Sequence, residues 1–392
     1  MAHRYTILAL LSFSTLINYL DRQALAVVVP ELRREMSLSS REYGEITTAF
    51  LIAYGAGQLL AGPLIDRLGA GWGLALFTAV WSLAALGHGL AQTAGHLLAL
   101  RILLGVGEAG NWPAGVKWIS ERFARSERAF TMGVFDAGSA VGAMLAPPLV
   151  AALTLIYGWR VAFLCTGVLG LLWLVVWLAS VPRESPPTAL SPAASWRMVS
   201  GRPLWGLVAT RFLATPVWWF YVFWLPDYLG QARGFTLREI GLFAWVPYVT
   251  VDLGKLLGGR LSDYLILRGK PVMLARKIIM GAAALAMAAG LFVVEAHSSF
   301  AALAWVSLAT FGFGMWSANI LALHADLFAS RGIATAVGCT TAAASVGGAI
   351  FTWLTGRLVD TEGYSLVFAL AGSAALLGFA VLWFAIRDEA HP

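Results

Sequence analysis

Asp21 and Arg22 stand side by side in an apolar run over residues 5–30, and Arg101 and Glu108 stand seven residues apart in another, over about 100–115. A charged side chain at bilayer depth costs several kcal/mol, so such residues line cavities and take part in what happens there. A guanidinium grips a carboxylate through paired hydrogen bonds, and a carboxylate can carry a proton. Two acids and two arginines in early apolar runs therefore point to a charged, proton-linked passage for an anion. Adjacent and heptad spacings also allow a purely structural reading, in which these charges neutralise one another and hold two helices together.

The composition says where such a passage would lie. Of the 392 residues, 59% are hydrophobic and only 12% charged, with a mean hydropathy of +0.74. A soluble domain carries about 25% charged residues. The chain reads as a polytopic membrane protein with the lipid bilayer as its solvent. The net charge of +6 comes from basic residues scattered over short loops, which fits membrane topology and not nucleic acid. Cys165 and Cys339 lie in apolar runs and read as buried small hydrophobes. The sequence has no phosphate-cradling loop, no His/Cys cluster at metal-ligand spacing and no segment that could house a catalytic domain. No cofactor, metal or catalytic residue is expected.

Apolar stretches of spanning length recur at about 5–30, 41–64, 71–92, 97–118, 127–155, 158–182, 203–229, 236–259, 274–296, 299–325, 332–357 and 363–386. They predict an all-α membrane protein with twelve transmembrane helices. With both termini in the cytoplasm, sixteen loop lysines and arginines fall inside and seven outside, the bias expected of a multi-pass protein. The first run is too long for a signal-peptide core, so it is expected to remain as the first membrane helix. A Pro- and Ser-rich stretch, 183–202, divides an N-terminal six-helix bundle, 1–182, from a C-terminal one, 203–392. The halves echo each other. Gly62-Pro63-Leu64-Ile65-Asp66 and Gly259-Arg260-Leu261-Ser262-Asp263 share Gly-x-Leu-x-Asp, 197 residues apart, at matching helix ends. Internal repeats of this kind build alternating-access transporters.

With Gly62-Pro63-Leu64-Ile65-Asp66-Arg67-Leu68-Gly69 after its second span, the chain resembles the major facilitator superfamily over nearly its whole length. Ala70, Gly71 and Trp72 stand where that signature usually continues with basic residues. Three further segments look like the anion:cation symporter branch. They are Asn18-Tyr19-Leu20-Asp21-Arg22, the stretch from Arg101 to Gly107-Glu108-Ala109-Gly110-Asn111-Trp112-Pro113-Ala114, and the seventh span with Arg211-Phe212-Leu213, Pro216 to Tyr221 and Trp224 to Tyr228. The seventh span looks most like bacterial hexuronate transporters. Vesicular glutamate carriers of the same branch place an arginine where this chain has Pro216, which favours a sugar acid over glutamate.

The resemblance implies two pseudo-symmetric six-helix bundles and a monomeric, proton-coupled symporter in the bacterial inner membrane. Its substrate would be a small organic anion, a hexuronate or aldonate, carried with protons. Arg22 becomes the anion anchor, and Asp21 and Glu108 the proton-coupling acids. Arg101 joins their charge network, with a mainly structural part. Tyr54, Asn111, Trp218, Tyr221 and Asn319 become candidate substrate contacts; Arg211, Trp218 and Tyr221 share one helical face if the seventh span is continuous. Asp66, Arg67, Asp263 and Arg211 read as gating residues at the cytoplasmic side. The rival readings are an organic-anion exchanger, an efflux carrier, or a membrane nutrient receptor that binds without transporting.

Overall fold

The computed structural model describes residues 2–123, 125–181, 201–328 and 333–386. The 183–200 part of the expected linker lies outside them. The helices are α1 (Ala2–Met36), α2 (Ser40–Leu68), α3 (Ala70–His88), α4 (Ala94–Glu108), α5 (Asn111–Arg122), α6 (Arg125–Tyr157), α7 (Trp159–Ser180), α8 (Arg202–Ala214), α9 (Pro216–Gln231), α10 (Leu237–Phe243), α11 (Val246–Leu267), α12 (Val272–Ala288), α13 (Ser299–Leu327), α14 (Ile333–Glu362) and α15 (Tyr364–Ala385), with one 3-10 turn, Ala289–Val293. No strand occurs among the described residues. Nine spans among them are long and apolar enough to cross a membrane. The expected spans that fall short are the first, which carries Asn18, Asp21 and Arg22, and the fourth and seventh, which are each broken in the middle.

Local signals set the helix ends, and they recur with the repeat. Ser39 accepts the Glu42 backbone N–H while Glu42 takes back the Ser39 N–H, a capping box that opens α2. Thr236 and Glu239 do the same for α10, again 197 residues on. Thr93 caps α4 and Ser298 caps α13, 205 residues apart. Gly158 (φ 89°) and Gly363 (φ 70°) open α7 and α15 in the left-handed region, also 205 apart. Each signal satisfies orphan N–H groups or supplies a backbone angle that other residues resist.

The breaks have a covalent cause. Pro113 has no N–H to donate to the Ala109 carbonyl, and the fourth span divides there into α4 and α5. Pro216 likewise opens α9 and ends the regular run of α8 at Thr215. Other ends run past the expected bounds. α1 continues beyond Pro30 to Met36, so Arg33 and Glu35 are helical, and the two Gly-x-Leu-x-Asp motifs lie on the last turns of α2 and α11 instead of in loops. Beyond the membrane core, the Trp159 indole donates to Glu35 at 2.6 Å and Arg160 pairs with it, tying α1 to α7. These two groups hold the Glu35 carboxyl below its usual range.

Two compact units result. The first takes α1 to α7 together with 223–245, and the second takes α8, the start of α9 through Val222, and everything from Val246 on. Within each, small residues let helix backbones meet. A Cβ at Gly138 on α6 would lie 1.8 Å from the Ser12 carbonyl oxygen of α1, and one at Gly254 on α11 would lie 2.1 Å from the Phe311 carbonyl oxygen of α13. Gly133, five residues before Gly138 on the same helix, meets nothing within 4 Å. Cys165 is exposed on α7, contrary to the expectation of burial, because it occupies an outward face of that helix. Gly138→Ala should lower the thermal unfolding temperature in detergent, at a cost of about 1–3 kcal/mol. Gly133→Ala should leave that temperature unchanged.

Candidate functional site

Residues 18–23 of α1 form the centre of the first unit. Asn18, Asp21, Arg22 and Gln23 are all buried there. Arg22 points toward α4 and gives Nε (2.8 Å) and Nη2 (2.7 Å) to Glu108 Oε2. Its Nη2 also donates to Asn18 Oδ1 at 3.2 Å. The guanidinium lies 4.8 Å from the ring centre of Tyr19, 4.7 Å from that of Tyr54 and 5.6 Å from that of Phe50. Aromatic faces supply weak negative potential without adding a charge. Glu108 is fully buried, and its second oxygen, Oε1, has no hydrogen-bond partner.

The ion pair therefore joins Arg22 to Glu108. Neighbours on a helix diverge by about 100°, so Asp21 points away from Arg22. Asp21 faces the side of α7 that bears Thr166, whose hydroxyl goes to the Phe163 carbonyl at 3.2 Å. Both Asp21 oxygens are buried without a hydrogen-bond partner. Arg101 is fully buried; its Nη1 donates to the Arg22 carbonyl at 3.2 Å, and its Nε and Nη2 have no partner. It holds the backbone at Arg22 and forms no ion pair with an acid of the described residues. Asn111 begins α5 just after the break. Its Oδ1 faces the Ser14 hydroxyl at 3.0 Å and its Nδ2 is open. The structure thus gathers Arg22, Glu108 and Tyr54 from α1, α4 and α2, with Asp21 on α1, Arg101 on α4 and Asn111 at the start of α5.

The second unit holds the other candidates. Trp218 is half-buried, stacks on Phe313 at 5.1 Å and meets Tyr248 edge-on at 5.9 Å. Tyr221 has different neighbours, Phe220 and Phe368, and its hydroxyl lies over Gly290. Asn319 is buried; its Nδ2 donates to the Gly258 and Met315 carbonyls at 3.1 and 2.9 Å, while Oδ1 has no partner. Arg211 lies on α8, before the break, so it does not share a continuous helical face with Trp218 and Tyr221. Its Nη1 donates to Thr340 (3.2 Å) and Thr341 (3.1 Å) on α14. Asp263 pairs with Arg276 at 3.1 Å, and the same arginine reaches Asp326 at 3.2 Å, clamping α11, α12 and α13. Arg67 is exposed at the end of α2. The side chain of Asp66 lies outside the described residues.

Two further polar groups escape a reading of the sequence. Arg33 is bidentate to Asp227, with Nε and Nη2 each 2.9 Å from an oxygen, and adds the Leu38 carbonyl (2.8 Å) and the Ser40 hydroxyl (2.9 Å). Gln231 also donates to Asp227 at 2.8–2.9 Å. Tyr43 donates to the Phe223 carbonyl, and its ring meets Trp224 edge-on. Together these contacts fasten the second half of α9 to the ends of α1 and α2. Asp136, half-buried on α6, takes a hydrogen bond from Ser139 at 3.1 Å and has no ion-pair partner among the described residues. A charged residue inside an apolar run marks Asp136 in the sequence; nothing local marks a pair 194 residues apart.

The model of the Major Facilitator Superfamily matches residues 11–338. The chain belongs to that superfamily. It is 31% identical to the hexuronate transporter of Escherichia coli (strain K12) over 409 aligned positions, which cover 98% of this chain and 94% of that one. It is 35% identical to the galacturonate transporter of Dickeya chrysanthemi over 277 positions, covering 65% and 80%. Its fold matches the crystal structure of a D-xylose-proton symporter with a TM-score of 0.80 at 17% identity, covering 98% of both chains. This superfamily member is a transporter and not an enzyme.

Removing one partner of a buried ion pair strands the other. Arg22→Met should destabilise the purified protein by about 3–5 kcal/mol, and Arg22→Met with Glu108→Met should regain most of that loss. Thermal or denaturant unfolding of the three proteins in detergent checks this.

Proposed function

We propose that this protein is a bacterial inner-membrane symporter that imports a sugar acid, a hexuronate or aldonate, together with protons by alternating access. The observation that carries the reading is the fully buried Arg22–Glu108 pair, with Tyr19 and Tyr54 against the guanidinium. A carboxylate substrate and Glu108 compete for one fork. When the substrate takes Arg22, Glu108 is left charged and alone in a low-dielectric setting, and taking up a proton removes that cost. Anion and proton then bind better together than apart, and by linkage each favours the other equally.

The charge balance suits uptake. Moving one charge across 100 mV costs about 2.3 kcal/mol. A monoanion with one proton carries no net charge, and with two it gains from an inside-negative potential. Asp21, with both oxygens unpartnered, is the second proton-binding acid of this reading. The open Asn111 Nδ2 in the first unit and the open Asn319 Oδ1 in the second match the acceptors and donors of sugar hydroxyls, and the half-buried Trp218 offers an apolar face. Tyr221, enclosed by Phe220, Phe368 and Gly290, serves packing in this reading. The sugar-acid class is supported by relatives that bear the names hexuronate and galacturonate transporter.

Radiolabelled galacturonate should accumulate above equilibrium in proteoliposomes under an inward proton gradient, and adding it outside should acidify the lumen. Uptake without acidification points instead to an exchanger, and no concentration above equilibrium sinks the symport reading. Glu108→Gln should keep galacturonate exchange and lose proton-driven accumulation; a Glu108→Gln protein that still concentrates substrate removes Glu108 from the coupling. Arg22→Ala should weaken galacturonate binding by at least about thirtyfold, the factor that ~2 kcal/mol gives for a truncated buried charge partner.

A further inference from the structure

The arginines of the spans and of their helical ends differ in how their forks are used. Arg22 turns the Nε–Nη2 edge onto Glu108, and Arg33 turns the same edge onto both oxygens of Asp227. That edge is the one whose two parallel N–H groups match a carboxylate. Arg211 is held from its other end. Thr340 and Thr341 fix Nη1, while Nε is buried without a partner and Nη2 makes no hydrogen bond among the described residues. Arg101 also keeps an unpartnered Nε–Nη2 edge, but both its nitrogens are sealed from access and lie in the field of Glu108 and Asp21. Arg211 is only half-buried, its Nη2 is not sealed, and no acid of the described residues pairs with it.

The support behind Arg211 is built. His324 is buried, and its Nδ1 lies 2.7 Å from the Ile320 carbonyl, which only accepts, so Nδ1 carries the proton. With a neutral ring, Nε2 is an acceptor 2.9 Å from the Thr340 hydroxyl, whose proton it shares with the Val337 carbonyl at 3.1 Å. This leaves the lone pairs of Thr340 for Arg211 and fixes the guanidinium plane. The cluster lies inside the bundle. Arg211 is nine residues into α8, about 14 Å along its axis, and Thr340 is seven residues into α14, about 11 Å along. A buried Nε–H without an acceptor is rare in folded proteins and calls for an explanation.

We propose that the Nε–Nη2 edge of Arg211, presented by Thr340, Thr341 and His324, is a second carboxylate-binding station, which holds the sugar acid at the α8 end of the second unit during part of the cycle. This rests on the sugar-acid reading above. A neutral sugar offers that edge only uncharged hydroxyl oxygens, whereas a carboxylate gives it two charge-assisted hydrogen bonds, so the station favours the acid.

The test is galacturonate transport measured from each face, in right-side-out and inside-out membrane vesicles, for wild type, Arg211→Gln and Arg211→Lys. From the face that carries the α8 N-terminus, Arg211→Gln should raise KM at least about tenfold, equivalent to ~1.4 kcal/mol, with a change below about twofold from the opposite face. Arg211→Lys keeps a charge without the fork and should still raise KM on that one face. Equal changes on both faces, no change on either, or wild-type behaviour of Arg211→Lys overturns the station, and the lysine variant decides the matter if Arg211→Gln does not fold. A wild-type protein that moves no galacturonate from either face sinks the proposed substrate class itself, and the station with it.

Discussion

A charge in the low-dielectric interior must be answered by an opposite charge, and in this protein Arg22 against Glu108 meets that demand. Much of the first unit serves that contact. Asn18 and Phe50 flank the guanidinium, two tyrosine faces cover it, and Arg101 holds the carbonyl of the same residue. The fourth span breaks one residue after Glu108, because Pro113 cannot donate to the Ala109 carbonyl. The same break places Asn111 at the start of a new helix. Glu108 keeps one oxygen without a partner even in this setting. The pair is thus neutral in sum and incompletely satisfied, a condition suited to exchanging partners and poorly suited to simple bracing.

The two units meet their polar groups in different ways. The first concentrates ionisable groups on α1 and α4. In the second, neutral groups answer two interior polar side chains: backbone carbonyls hold Asn319, and the threonines of α14 hold Arg211. The seventh span takes part in both units, since contacts divide it at Val222 and Phe223. Its second half is held to α1 and α2 by Arg33, Tyr43 and Gln231 through Asp227 and the Phe223 carbonyl.

Much of the fold was legible in the sequence, because apolar runs of bilayer length leave little choice but helices. The buried charges were legible for the same reason. Their partners were less so. Adjacency suggested that Asp21 belongs with Arg22, yet consecutive helix residues point in different directions. Heptad spacing put Arg101 and Glu108 on one face, but two turns separate them by about 10 Å, beyond ion-pair reach. The two breaks could be read from Pro113 and Pro216; the assumption of a continuous seventh helix hid the second, and with it the separation of Arg211 from Trp218. Arg33 with Asp227 was not legible, since its partners lie 194 residues apart and each looks like an ordinary residue near a span end.

The duplicated helix starts have a further consequence. Capping boxes 197 residues apart, and later caps and positive-φ glycines 205 apart, show the second half keeping the frame of the first with a small net insertion between them. What is copied is scaffold, namely where a helix starts and how the chain turns into it. The residues that would bear the ionic work are not copied: Arg22 meets Glu108 and Asn18, both in the first half. The symmetry therefore confers no redundancy. Each cap serves only its own helix, and Arg22 and Glu108 have no counterpart pair at the corresponding positions of the second half.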